Sequence, residues 1–65
     1  MLESLSKQER RILAGIIQGK KDKEIAAELG ISENTVKNHC VTLYRKLGVR
    51  NRTEAAVKFL KQLYH

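Results

Sequence analysis

In the stretch "GISENTVKNHCVTLYRKLG", residues 30 to 48, four side chains recur at intervals of three and four: Asn34, Lys37, Asn38 and Val41. That spacing places them on one side of a helix. A solvated helix face ordinarily carries long charged side chains. Asparagine is a poor helix former, because its amide competes for the backbone. The same amide pairs with adenine N6 and N7 in a major groove, lysine reaches guanine O6 and N7 or a phosphate, and valine meets the thymine methyl. Arg45, a turn further on, suits a phosphate. The competing reading is a solvated face of unusual composition.

Other chemistry finds little support. No paired carboxylates, nucleophile with a base, or phosphate-cradling glycine loop stands at usable spacing, so an enzyme is not expected. His39 and Cys40 are adjacent and cannot by themselves make a tetrahedral metal site, and no cofactor is implied. Cys40 is read as a small apolar filler. A lone cysteine also suits a reducing compartment such as the cytoplasm. No apolar run approaches the ~20 residues needed to span a bilayer, so no membrane partner is expected.

The elements that must hold this face follow from caps and periodicity. Ser6 with Glu9 is a capping box, and Ile12, Leu13, Ile16 and Ile17 then mark the buried stripe of a first helix over about residues 7 to 18. Asp22 can cap a short second helix, about 23 to 29, that buries Ile25, Ala26 and Leu29. Ser32 can cap a third helix, about 33 to 47. On it Val36, Cys40, Leu43 and Leu47 form the apolar stripe opposite the asparagines, with Thr35, His39 and Lys46 on one flank and Glu33 and Tyr44 on the other. Asn51 with Glu54 reads as a second capping box, opening a fourth helix over about 52 to 64 that buries Ala56, Phe59, Leu60 and Leu63. Gly19, Gly30 and Gly48 each follow an amphipathic segment, where a left-handed residue is wanted. Gly15 lies inside the first helix, where close packing against another helix is one reason to tolerate it.

The whole is one domain over residues 1–65, all-α and compact, with four helices. Connections this short leave little room for an enclosed pocket. Lys and Arg outnumber Asp and Glu by 13 to 7, a formal charge of +6 that favours polyanionic partners. Ala26, Gly30 and Val36 then supply the small residue, the turn glycine and the apolar lock of a helix-turn-helix at helices two and three. In that geometry helix three enters the major groove of double-stranded DNA. Lys20, Lys21, Lys23, Arg50 and Arg52 lie in the flanking turns and bracket the groove, touching phosphates without reading sequence.

The segments "LSKQERRIL", "GKKDKEIAAELGISENTVKNH" and "KLGVRNRTEAA" resemble the LuxR-type DNA-binding domain found at the end of many bacterial response regulators and quorum-sensing regulators. The resemblance runs from Leu5 to about Leu63. It implies a cytoplasmic bacterial transcription regulator, nucleoid-associated when bound, that docks as a dimer on an inverted repeat through helix four, with RNA polymerase as a further candidate partner. It implies base contacts from Lys37, Asn38 and Val41, and helix-supporting or DNA-backbone roles for Thr35 and His39. Lys46 is placed with the backbone contacts. Glu9 matches an acidic position read as structural. Val57, Leu60 and Tyr64 line the side of helix four that would form a weak dimer contact; packing against helix one is the alternative.

Three positions depart from the family pattern. Gln8 replaces a usual arginine, Asp22 a usual asparagine, and Val41 a residue that is basic in some members, which favours a more apolar readout. The chain is read as an excised effector domain, with a stand-alone regulator as the alternative. A sigma-factor-like promoter reader and a protein-binding helical adaptor remain competing functions.

Overall fold

The computed structural model describes residues 4–63. Four helices follow one another: α1 (Lys7–Ile17), α2 (Asp22–Leu29), α3 (Glu33–Leu47) and α4 (Arg52–Leu63), with no strand among the described residues.

Each helix start uses side-chain chemistry to satisfy orphan backbone donors. At α1 the capping box is complete: Ser6 N donates to Glu9 Oε1 at 2.7 Å, and Glu9 N donates to Ser6 Oγ at 3.1 Å. At α3 Ser32 Oγ accepts from Thr35 N at 3.0 Å. Two starts differ from expectation. Helix α2 begins one residue early, with Asp22 inside its first turn, and Glu24 reaches back to accept the Lys21 N–H at 2.8 Å. At α4 Asn51 accepts from Glu54 N at 2.9 Å, but the Glu54 carboxylate returns to Arg50 N rather than to the cap residue.

Three helices end alike. Gly19, Gly30 and Gly48 all have positive φ. After α1, Lys20 N reaches Gly15 O at 3.0 Å; after α2, Ile31 N reaches Ala26 O at 3.0 Å; after α3, Val49 N reaches Tyr44 O at 2.9 Å. These six-to-one bonds define a Schellman motif at each end. At Gly30, φ is +69°, a value that penalises any side chain bearing Cβ, and this sets the reversal between α2 and α3.

The core is built from Leu5, Ile12, Leu13, Ile16, Ile25, Ala26, Val36, Cys40, Leu43, Leu47 and Ala55. All four residues expected on the apolar stripe of α3 are buried. Ile17 and Leu29, expected in the core, are half-buried at its edge. On α4 the expected burial shifts by one position. Ala55 is fully enclosed, Ala56 and Phe59 are half-buried, and Leu60 is 41% exposed. The helix is rolled so that Ala55 rather than Ala56 faces the centre. The side chain of Leu63 lies outside the described set.

Gly15 has a steric explanation. A Cβ placed there would stand 2.7 Å from Ile25 Cγ1 and 3.0 Å from Cδ1, so the absence of a side chain lets α1 and α2 touch. No described helix is long and apolar enough to cross a membrane.

Candidate nucleic-acid interface

The geometry of the α2–α3 unit rests on three residues. Ala26 is 4% exposed, with no bulk to separate the two helices, Gly30 supplies the left-handed reversal, and Val36 is fully buried one turn into α3. This is a helix-turn-helix.

With the rear of α3 buried, its front is fixed in direction. Asn34, Lys37, Asn38, Val41 and Arg45 are all exposed, and Val41 is 58% accessible to water, unusual for a branched aliphatic residue. The side chains of Asn34, Lys37 and Asn38 make no hydrogen bond or ion pair with other described residues, so their polar groups face outward unspent. Thr35 and His39, on the flank, are half-buried. The Thr35 hydroxyl already meets Ser32 Oγ at 2.8 Å, which ties it to the start of the helix.

The flanking cations divide into two groups. Lys21, Lys23, Arg45 and Arg50 have exposed side chains. Lys20 is half-buried and paired with Glu28. Lys46 and Arg52, also expected at phosphates, make bonds within the fold. Lys46 Nζ donates to Glu9 Oε1 at 2.8 Å and to Ser4 O at 3.2 Å. Arg52 donates from Nη1 to Asp22 Oδ1 at 3.2 Å and from Nη2 to Lys20 O at 2.9 Å. Charge-assisted bonds of this kind are strong enough to fix a long side chain. Both side chains stay partly exposed, at 37% for Lys46 and 40% for Arg52.

The titratable groups around the unit are set for structure. The Lys46 ammonium, then the Ser6 backbone N–H, hold the Glu9 carboxyl below its ordinary value. Burial pushes the Cys40 thiol up. Burial first, and then the hydrogen bond with Cys40, pushes Tyr44 up to about 12. Cys40 is therefore a protonated, buried thiol with little nucleophilic character. Among the described residues no group of three or more His, Cys, Asp or Glu side chains is arranged to hold a metal ion.

On α4, Val57 and Leu60 are 44% and 41% exposed. Tyr64, expected beside them, lies outside the described residues. One participant escaped the sequence reading. Lys58 Nζ donates to Leu47 O and so satisfies a carbonyl at the end of α3. The two residues are eleven positions apart in different helices, so no local pattern signals the bond.

A four-helix domain whose helix-turn-helix presents asparagines, a lysine and a valine, flanked by exposed cations, defines a helix-turn-helix DNA-binding module. Comparison with known proteins agrees. Residues 3–59 match the model of the bacterial regulatory proteins, luxR family, and the chain belongs to that family. It is 47% identical over 57 residues to the spore germination protein GerE of Bacillus subtilis (strain 168), covering 88% of this chain and 77% of that one. It is 50% identical over 56 residues to the putative HTH-type transcriptional regulator YhjB of Escherichia coli (strain K12), covering 86% of this chain and 28% of the relative. The nitrate/nitrite response regulator protein NarP of the same organism is 47% identical over 58 residues, covering 89% of this chain and 27% of NarP. The chain thus spans most of GerE but only about a quarter of YhjB and NarP. Of these relatives, YhjB carries the description of an HTH-type transcriptional regulator and NarP that of a nitrate/nitrite response regulator.

Proposed function

We propose that the chain binds double-stranded DNA sequence-specifically to regulate transcription in the bacterial cytoplasm, as one domain over residues 1–65. Helix α3 lies in the major groove, with Asn34, Lys37, Asn38 and Val41 at base edges. Lys21, Lys23, Arg45 and Arg50 meet phosphates, joined by Lys20, Thr35 and His39 on the flanks. Two copies bind an inverted repeat and touch through Val57 and Leu60 of α4, with Tyr64 continuing that side in sequence. The interface is small, so the dimer forms weakly without DNA. RNA polymerase is a second partner of the bound dimer.

One observation carries this reading. The outward face of α3 combines unspent amides, an ammonium and an exposed valine on a helix whose opposite face is completely buried. Such a surface suits base edges better than water.

Selection of bound sequences from random duplex DNA tests specificity, symmetry and half-site spacing together. The expected product is an inverted repeat whose affinity falls steeply with salt. With about four or five phosphates neutralised per chain, the log–log slope is about −4 per bound chain. An affinity that stays flat with salt would point to a protein-binding adaptor instead.

A further inference from the structure

Helix α4 touches both ends of the helix-turn-helix, and it does so with two cations. Arg52, on its first turn, bonds Lys20 O and Asp22 Oδ1, the carbonyl just before α2 and the carboxylate on its first turn. Lys58, six residues on, bonds Leu47 O at the end of α3. Six residues rise about 9 Å along a helix. One short stretch of α4 therefore grips the unit where it begins and where it ends. As whole residues both are half-buried, although the Arg52 side chain keeps 40% of its surface exposed. A lysine at the C-terminus of α3 also meets the negative end of the helix dipole. Between the two anchors lies Val57, 44% exposed on the outer side of the same helix.

We propose that Arg52 and Lys58 are positioning residues that set the angle at which α3 meets DNA. This rests on the major-groove reading above and adds residues that touch no base in it. Packing of Val36, Cys40, Leu43 and Leu47 fixes the direction in which α3 faces. Packing alone leaves a tilt about that apolar seam, because aliphatic contacts are non-directional. Hydrogen bonds to one carbonyl at each end are directional and remove that tilt.

The test compares Lys58→Met and Arg52→Met with Lys58→Arg, all folded by circular dichroism at the assay temperature. The probes are the half-site recovered by selection from random duplex DNA and a random-sequence duplex of equal length. Lys58→Met is expected to reduce the preference for the selected half-site over the random duplex about ten-fold, with the salt slope unchanged. Arg52→Met is expected to do the same, and Lys58→Arg, which keeps a donor, to restore most of the preference. An unchanged preference in both Met variants would overturn the proposal, leaving only a stabilising role. Equal weakening on both duplexes with a salt slope reduced by about one would also overturn it, since that marks a phosphate contact. A wild-type chain with no preference at all would fail the major-groove reading itself, and that failure is visible before any variant is made.

Discussion

Glu9 is 3% exposed at the start of α1, and its Oε1 accepts from both Ser6 N at 2.7 Å and Lys46 Nζ at 2.8 Å, so one carboxylate oxygen caps a helix and ties it to the last turn of α3. These bonds hold its carboxyl below the ordinary value of 4.5. The unfolded chain therefore takes up a proton at higher pH than the folded one. The stability from Glu9 is fully present above 4.5 and is lost as pH falls through the folded value. Urea midpoints measured from neutrality into acid should fall for the wild type and fall less steeply for Glu9→Gln. Parallel curves would show that this carboxylate does not couple folding to protons. At neutral pH Lys46→Met, which leaves the buried charge unpaired, should cost about 1–3 kcal/mol, less than for a fully buried pair because the lysine head reaches water.

Gly15 and Ile25 form a contact that admits no methyl group, with Ile25 Cγ1 2.7 Å from where a Cβ would stand. Alanine gains about 1 kcal/mol of helix propensity over glycine, but overpacking a tight contact costs about 1–3 kcal/mol. Gly15→Ala should be destabilising by about 1 kcal/mol. With Ile25→Ala already in place the clash is gone, and the same substitution should become stabilising. A double-mutant cycle of chemical denaturation midpoints reads this reversal of sign. Additive effects would mean that the two helices part freely.

Leu43 and Val41 are neighbours on α3 with opposite environments, fully buried and 58% exposed respectively. Leu43→Ala should cost about 2–5 kcal/mol, which approaches the whole stability of a domain this small, about 3–5 kcal/mol. Circular dichroism at 25 °C should show a large unfolded fraction. Val41→Ala should stay within about 0.5 kcal/mol of wild type. A large loss at Val41 would show that the outward face is coupled to the fold.

The Asn38 side chain is exposed and makes no polar contact within the described residues, so truncating it leaves no orphaned partner behind. Asn38→Ala should keep the melting temperature and relax preference at one base position per half-site by about 1–3 kcal/mol. Competition binding with single-base variants of the selected half-site measures this. Uniform weakening across all of them would move Asn38 to the DNA backbone.

Much of the fold was legible because its signals are local. Ser6, Ser32, Gly30 and Gly48 act within a few residues of where they stand, and α3 was readable at both ends from its cap and its glycine. The α4 stripe was misassigned because Ala55 and Ala56 are interchangeable in a hydrophobic pattern. Their burial is decided by how α4 rolls against α1 and α3. The partners of Lys46 and Arg52 were hidden for a related reason. No local pattern pairs a cation with a carboxylate far along the chain. Lys46 meets Glu9 and Arg52 meets Asp22 only after folding. The outward face of α3 was the most readable part of the candidate site, because its direction follows from the apolar stripe behind it.

That face contributes almost nothing to holding the molecule together. Asn34, Lys37, Asn38 and Val41 cap no helix, fill no void and bridge no pair of elements among the described residues. A duplicated gene can therefore drift at these four codons while its product stays intact. On the major-groove reading proposed above, such single steps change the sequence preferred while each stays neutral for folding.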